Sequence, residues 1–373
     1  MSFSSKKSSL ILILDVQSSV VRGSLCIFNP KDRPHIIFSY EVPINYHIGK
    51  GSAHLIQKTT EVIGEIVHKA LRSIQGKKVD GVHYVLSSPW ILSQGKTVTV
   101  EFAKNTKTTR ERIIEIVTKH RDEFITENQS DFEIIEEKIF DVRLDGVSID
   151  KWQKRKARIT EVSFAVSIAG SETLKQLRDA CAHAVIPEQI TFHSSLLLQY
   201  IAVQQTIPQY KDYTLIHAHG ELTDIICVEN STCSFFASYP YGTNTIIRSI
   251  EAKLKTSQQQ AESYISLYEQ GSLDSSHAHS IHIAIQKVQH IWSAELLKII
   301  GHSAITQKQN EHILLSAHAH EAFFIHALRS IPSYKTVQRL ELDDIRPRVT
   351  LDPNIRVSRM TGLYVLAIHS TLQ

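Results

Sequence analysis

Glycine is scarce in this 373-residue chain, at 14 residues, about 4% against roughly 7% in ordinary usage. Loops that grip phosphate with backbone amides depend on glycine, because a Cβ intrudes where the oxygen must approach. The P-loop pattern G-x-x-x-x-G-K-[ST], the dinucleotide pattern G-x-G-x-x-G and the nucleophile elbow G-x-S-x-G are all missing. Cysteine is also rare. Cys26, Cys181, Cys227 and Cys233 form no C-x-x-C and match no zinc spacing, which excludes a disulfide scaffold and favours buried thiols in a reducing cytoplasm. No apolar stretch approaches the ~20 residues of a membrane span. The run 10–14, which follows Lys6 and Lys7, is too short for a signal segment and ends at Asp15. An excess of one charge sign is missing too: 41 Lys and Arg face 38 Asp and Glu, a net charge of +3. That balance gives no reason to expect nucleic-acid binding.

What is present suits a folded α/β protein. Hydrophobic residues make up 42% and charged residues 21%, enough apolar material for a substantial core. Residues 10–27 read as two strands around a polar turn, and 35–42 as a third. Over 52–74, Leu55, Val62, Ile63, Ile66, Val67, Leu71 and Ile74 recur at helical spacing. Residues 97–102 read as a short strand. Residues 108–124 read as an amphipathic helix capped by Thr108 or Thr109. Residues 131–187 have a rhythm of their own: strands over 132–144 and 160–169 around the turn Asp145–Gly146, then a helix over 171–184 capped by Ser171. Residues 213–229 and 232–240 read as a second set of strands. Helices follow over 243–254, 257–270 and 279–300, then the strand 312–316 and the helix 321–328. A strand–turn–strand thus opens each half of the chain.

The ordered motifs resemble the actin-like ATPase superfamily, in its FtsA- and PilM-like branch. LILDVQSSVVRGSL resembles the first phosphate hairpin, with Asp15, Ser18, Ser19 and Arg22 at matching positions. DYTLIHAHGELTDIICV resembles the second, with Gly220, Thr223 and Asp224 in place. Gly242 and Glu262 fall in the stretch that follows it, and Ser316 opens the segment that resembles the adenosine loop. The resemblance implies a duplicated, ribonuclease H-like α/β fold with an inserted small α+β subdomain: a first half over 1–105, the inserted module over 106–190 and a second half over 191–373. It also implies that the two hairpins face each other across a nucleotide cleft.

The departures from the family pattern fall on the phosphate-gripping positions. A glycine of the first hairpin is replaced by Gln17. In the second hairpin an aspartate is replaced by His217, and the glycine run reads His219, Gly220, Glu221. The lysine of the A-E-x-x-K motif is Ile265, and the adenosine-loop glycines are Ala317 and His318. Each lost charge-assisted or backbone hydrogen bond is worth about 1.5–3 kcal/mol, and each ~1.4 kcal/mol is tenfold in affinity. The expected outcome is a pseudo-ATPase with no cofactor, in which ATP and Mg²⁺ enter only if the degenerate cleft still binds them. The alternative is an active actin-like ATPase holding Mg·ATP in that cleft. Asp15 and Asp224 either organise Mg²⁺ and water or tie their turns by side chain-to-backbone bonds.

Twenty histidines raise a metal reading in which His217, His219, His318 and His320 line the old nucleotide cleft, with His277 and His279 in a separate loop. No H-E-x-x-H or Cys/His spacing supports it. KWQKRKAR, residues 151–158, is either a solvated hairpin face or a surface for acidic lipid or an acidic partner. The family likeness implies protein partners in a cell-division or pilus complex, among them the cytoplasmic tail of a membrane protein, and self-association as a further option. It implies a cytoplasmic protein that reaches the inner membrane through a partner.

Overall fold

The computed structural model describes residues 8–30, 32–45, 50–128, 131–302, 312–334, 336–341 and 345–372. Lys6 and Lys7 lie outside them. The apolar run at the start becomes β1 (Ser9–Val16), which pairs antiparallel with β2 (Val20–Phe28), and β2 pairs antiparallel with β3 (His35–Pro43). Helix α1 (Gly51–Ser73) buries Ile56, Ile63, Ile66, Val67 and Ala70 on one face, the amphipathic spacing expected of it. It stops where Gln75 and Gly76 turn left-handed, with φ 56° and 73°. Helix and sheet approach so closely that a Cβ on Gly23 would lie 2.1 Å from Ile66 Cγ2. Strand β4 (Gly81–Leu86) then pairs parallel with β1.

Strand β5 (Leu92–Lys107) leaves that sheet, and is far longer than the strand expected over 97–102. With α2 (Arg110–Glu127), β6 (Phe132–Leu144), β7 (Val147–Ser148) and β8 (Lys156–Gly170) it builds a second layer, a sheet of order β5-β8-β6-β7. Thr109 caps α2 by accepting from the amide of Arg112. Asp145 and Gly146 make the turn before β7 with φ 51° and 82°. Ile113, Val117, Val142, Val162 and Phe164 form this layer's own core. Helix α3 (Ser171–Ala180) starts at Ser171 itself; the capping position is Gly170, with no side-chain bond, which corrects the expected serine cap. The chain then returns to the first sheet through β9 (Ile190–Ser194), parallel to β4. Helix α4 (Ser195–Thr206) is buried on all sides from Ser195 to Val203, as a helix enclosed by protein must be.

Strands β10 (Tyr213–Ala218), β11 (Thr223–Glu229) and β12 (Thr232–Tyr239) precede α5 (Thr243–Leu254), α6 (Gln258–Glu269) and α7 (Ser275–His302). Residues expected in a separate loop, His277 and His279, lie in α7. After β13 (His312–Ala317), α8 (Glu321–Arg329) and β14 (Thr336–Arg339), the chain closes with β15 (Thr350–Leu351) and α9 (Arg359–Leu372). The two larger sheets run β15-β3-β2-β1-β4-β9 and β12-β11-β10-β13-β14. Setting β15 aside, both repeat one order: third, second, first, fourth, fifth. That repetition is the duplication at the level of topology. The chain divides into two compact units, one of Met1–Lys211, Val228–Phe236 and Glu341–Gln373, the other of Asp212–Cys227 and Ala237–Leu340.

A buried histidine pair lies where β4 meets β9. His83 Nδ1 is 2.9 Å from His193 Nε2, and the rings stack with centroids 5.1 Å apart. Burial pushes the His83 pKa down to about 3, and the neighbouring His193 adds to the shift. Between pH 6.5 and about 3 the unfolded chain therefore carries a proton at His83 that the folded chain does not. Stability from this group must rise with pH across that window, by at most ~1.4 kcal/mol per pH unit. We expect denaturant titrations from pH 7 to pH 4.5 to show a shallower loss of stability in His83→Asn than in the wild-type chain. Identical slopes would mean that His83 is not the group being charged.

Candidate functional site

The turn between β1 and β2 is closed by the Gln17 amide, which donates to Val20 O at 3.0 Å. In the β1–β2 register Asp15 stands opposite Arg22. Arg22 Nη1 donates to Asp15 Oδ2 at 3.0 Å, and Gln17 Nε2 donates to the same oxygen at 3.0 Å. Arg22 Nε also pairs with Glu41 on β3. Trp90, in the loop after β4, donates from its indole nitrogen to Gln17 O at 3.1 Å. Asp15, Gln17 and Ser18 are buried, at 2%, 0% and 2% exposure. The carboxylate expected to serve metal and water is thus held by its own hairpin. The side chain that replaces the glycine does part of the holding.

The second hairpin follows the same principle with different residues. His219 N donates to Leu222 O at 2.8 Å and closes the turn between β10 and β11. His219 Nε2 lies 2.7 Å from Asp224 Oδ2, and Ser238 Oγ on β12 donates to Asp224 Oδ1 at 2.5 Å. Both His219 and Asp224 are buried. Thr223 Oγ1 donates to Tyr241 O at 2.6 Å and accepts from the Trp292 indole at 3.0 Å. Glu221 is neutralised by Arg248 Nη1 at 2.9 Å and accepts from Asn244 Nδ2 at 2.8 Å.

The start of α5 is occupied as well. A helix N-terminus binds anions because its first amides lack intrahelical partners. Here Thr243 N donates to His219 O at 2.9 Å and Asn244 N to Gly220 O at 2.8 Å. These contacts need glycine at 242 for its small size: a Cβ there would fall 2.4 Å from His219 O and 2.5 Å from Gly220 O. Gly242 and Gly220 thus pack one turn against another, and the amides beside them are already engaged by protein carbonyls.

The remaining expected residues divide. Ser316 on β13 is buried and stands beside His217 in the β10–β13 register. The rings of His217 and His219 sit edge to face with centroids 4.1 Å apart. His318 N donates to Ala218 O at 2.9 Å, extending the β13 pairing by one residue. His320 sits left-handed, with φ 53°, ahead of α8, and its Nδ1 is 3.3 Å from Glu269. Glu262 lies on α6 and accepts from Gln258 at 3.0 Å. Ile265, at the family's lysine position, is buried at 1% exposure. Among the described residues, no group of three or more His, Cys, Asp or Glu is placed to hold a metal ion. Sequence reasoning missed Glu41, Trp90, Ser238, Asn244 and Arg248. Only the cross-strand pairing of Arg22 with Asp15 could have been found from the hairpin register.

The actin-like fold implies Mg·ATP, and the residues present do not fit it. Both aspartates are capped by donors of the chain itself, the first α5 amides are spent on His219 O and Gly220 O, and Glu221, where the family pattern has glycine, adds a carboxylate paired with Arg248. Charge-assisted bonds of this kind are strong enough that a ligand must break them before using the same oxygens.

No protein-family profile matches the chain, and no curated protein does. Solved structures do. A chain of the PilM–PilN type IV pilus biogenesis complex superposes with a TM-score of 0.62 at 14% identity, covering 97% of each chain. The ethanolamine utilization protein EutJ from Carboxydothermus hydrogenoformans gives 0.46 at 10% identity, over 96% of this chain and 89% of that one. A Bacteroides thetaiotaomicron protein of unknown function with an actin-like ATPase fold gives 0.40 at 11%, over 98% of each. The chain has the actin-like ATPase fold, in a form similar to PilM.

Proposed function

We propose that this chain is a pseudo-ATPase that serves as an actin-fold scaffold in a type IV pilus-type assembly, acting through protein–protein contacts. One observation carries the reading: Asp15 and Asp224, the two carboxylates the family uses around nucleotide, are each bonded to two donors of their own unit. Catalysis of phosphoryl transfer rests on positioned charges free to act on the substrate, and here those charges are engaged. The likeness to PilM favours a pilus-type assembly over a cell-division one. By the same likeness the partner is a protein, and we take it to be the cytoplasmic tail of a membrane protein, which would hold this chain in the cytoplasm beside the inner membrane. Among the described residues, no helix is long and apolar enough to cross a membrane.

Thermal unfolding with and without Mg·ATP tests the nucleotide part. A ligand at 100 times its Kd stabilises by about 2.7 kcal/mol. We expect no change in Tm at millimolar ATP. A rise of more than about 4 °C would restore the active ATPase as the better reading. Affinity capture from the native cell tests the other part, and recovery of division proteins without pilus-type ones would redirect it.

A further inference from the structure

The inserted layer ends in a concentration of positive charge that nothing above uses. Three segments are drawn to one end of the β5-β8-β6-β7 sheet by its register: Lys107 stands opposite Lys156, and Leu144 opposite Thr160. Two backbone bonds fasten the 151–155 loop to the start of α2, from Thr108 N to Arg155 O at 2.8 Å and from Lys154 N to Thr108 O at 2.9 Å. Residues 101–112 and 150–158 together hold nine basic and three acidic side chains. That local excess of six is twice the net charge of the whole chain, +3.

The acidic groups nearby do not neutralise it. Asp145 is committed to the backbone amides of Arg158 and Ile159. Glu101 meets Arg158 at 3.6 Å. Lys104, Lys107, Lys151, Lys154 and Lys156 are exposed, and among the described residues they make no ion pair. Like charges directly across a strand pair destabilise it, yet Lys107 faces Lys156. A fold that keeps such a pair at an exposed end has surface suited to a negatively charged counterpart. Trp152 lies half-buried against the layer's core in the midst of these cations. Val147, which opens β7 beside Leu144, is 61% exposed.

We propose that this end of the inserted layer is a direct contact surface for an anionic phospholipid bilayer. Spread lysines act as point charges suited to a diffuse plane of headgroups. Tryptophan settles at the headgroup level, and the exposed Val147 at the start of β7 adds a shallow apolar contact. An acidic protein segment would be better served by bidentate arginines, whereas five of the nine cations here are lysines. The surface is independent of the nucleotide question.

The test is co-sedimentation of the full chain with vesicles of phosphatidylcholine alone or mixed with phosphatidylglycerol. We expect binding only to the mixed vesicles, with loss at high salt because the contact is screened. A Lys151→Glu, Lys154→Glu, Arg155→Glu variant should bind at least about tenfold more weakly. Reversal of the exposed Lys77 and Lys78 should leave binding intact. The altered side chains are exposed, and an unchanged Tm will confirm that the variant folds. If its Tm does fall, the milder set Lys151→Gln, Lys154→Gln, Arg155→Gln gives the reading instead. Failure to sediment with phosphatidylglycerol vesicles overturns the proposal. So does equal binding by wild type and variant, or binding to polyglutamate without binding to vesicles.

Discussion

Arg22→Leu is expected to lower folding stability by about 3–5 kcal/mol, the usual cost of removing one partner from a buried ion pair. Arg22 and Asp15 are 7% and 2% exposed. Taking away the guanidinium removes a cation 3.0 Å from the buried Asp15 carboxylate, in surroundings that disfavour an uncompensated charge. Glu41 loses its partner as well, though it is nearer solvent. Against a typical domain stability of 5–15 kcal/mol, this is a large fraction. Urea denaturation of Arg22→Leu beside the double variant Asp15→Asn, Arg22→Leu checks it. The double variant should regain much of the loss, because the two residues form one network and their effects do not add. A single-variant loss below about 1 kcal/mol would mean that the pair behaves as a surface salt bridge. Such a result would mean that Arg22 contributes little to holding Asp15.

Trp292→Ala should cost a similar amount, about 3–5 kcal/mol, for a different reason. Trp292 is 1% exposed on α7 and packs edge-on against Phe324 at 5.2 Å and beside Tyr239 at 6.1 Å. Its truncation opens a cavity that the neighbours fill only in part. It also removes the donor to Thr223 Oγ1, and so loosens the second hairpin one residue before Asp224. Trp292→Phe separates the two effects. It keeps most of the volume and loses the hydrogen bond, so it should cost about 1–2 kcal/mol. If both variants unfold at the wild-type denaturant midpoint, Trp292 does not anchor this unit.

Much of the fold was legible along the chain, for reasons that can be named. Helix α5 falls on the expected 243–254 because its apolar spacing begins right after a glycine and ends at Lys255, which turns left-handed. Helix α1 was legible from its unbroken helical period, and strand β1 as a short apolar run that ends at Asp15. Strand β5 runs from Leu92 to Lys107, well beyond the expected 97–102. None of its residues is buried, so alternation marked only the stretch around 97–102, and the rest is held by pairing with β8. The stretch 362–368 is apolar on every side and has no period that tells strand from helix. It is the helix α9, with Met360–Ile368 buried.

The candidate site was legible in its positions and not in its bonds. Gln17, His219 and Glu221 announced themselves as side chains where a phosphate loop needs none. What they do instead depended largely on residues beyond their own hairpins: Trp90 against Gln17, Ser238 on the Asp224 that His219 also meets, Arg248 on Glu221. Residues 277 and 279 belong to α7 because Asp274 accepts from the amides of Ser276 and His277 at 3.1 Å and so starts the helix ahead of its apolar residues.

Amino-acid order alone determined which segments become strands and helices, that the pattern occurs twice, and that Gln17, His219 and Glu221 stand where the family pattern the chain resembles has glycine. These are local properties, set by side-chain period and by steric demands at single positions. Tertiary structure decided that the replacing side chains close each hairpin on itself, and that nine cations from two separate segments meet at one end of a sheet. Those outcomes arise from strand register, which brings together residues between which the sequence shows no relation.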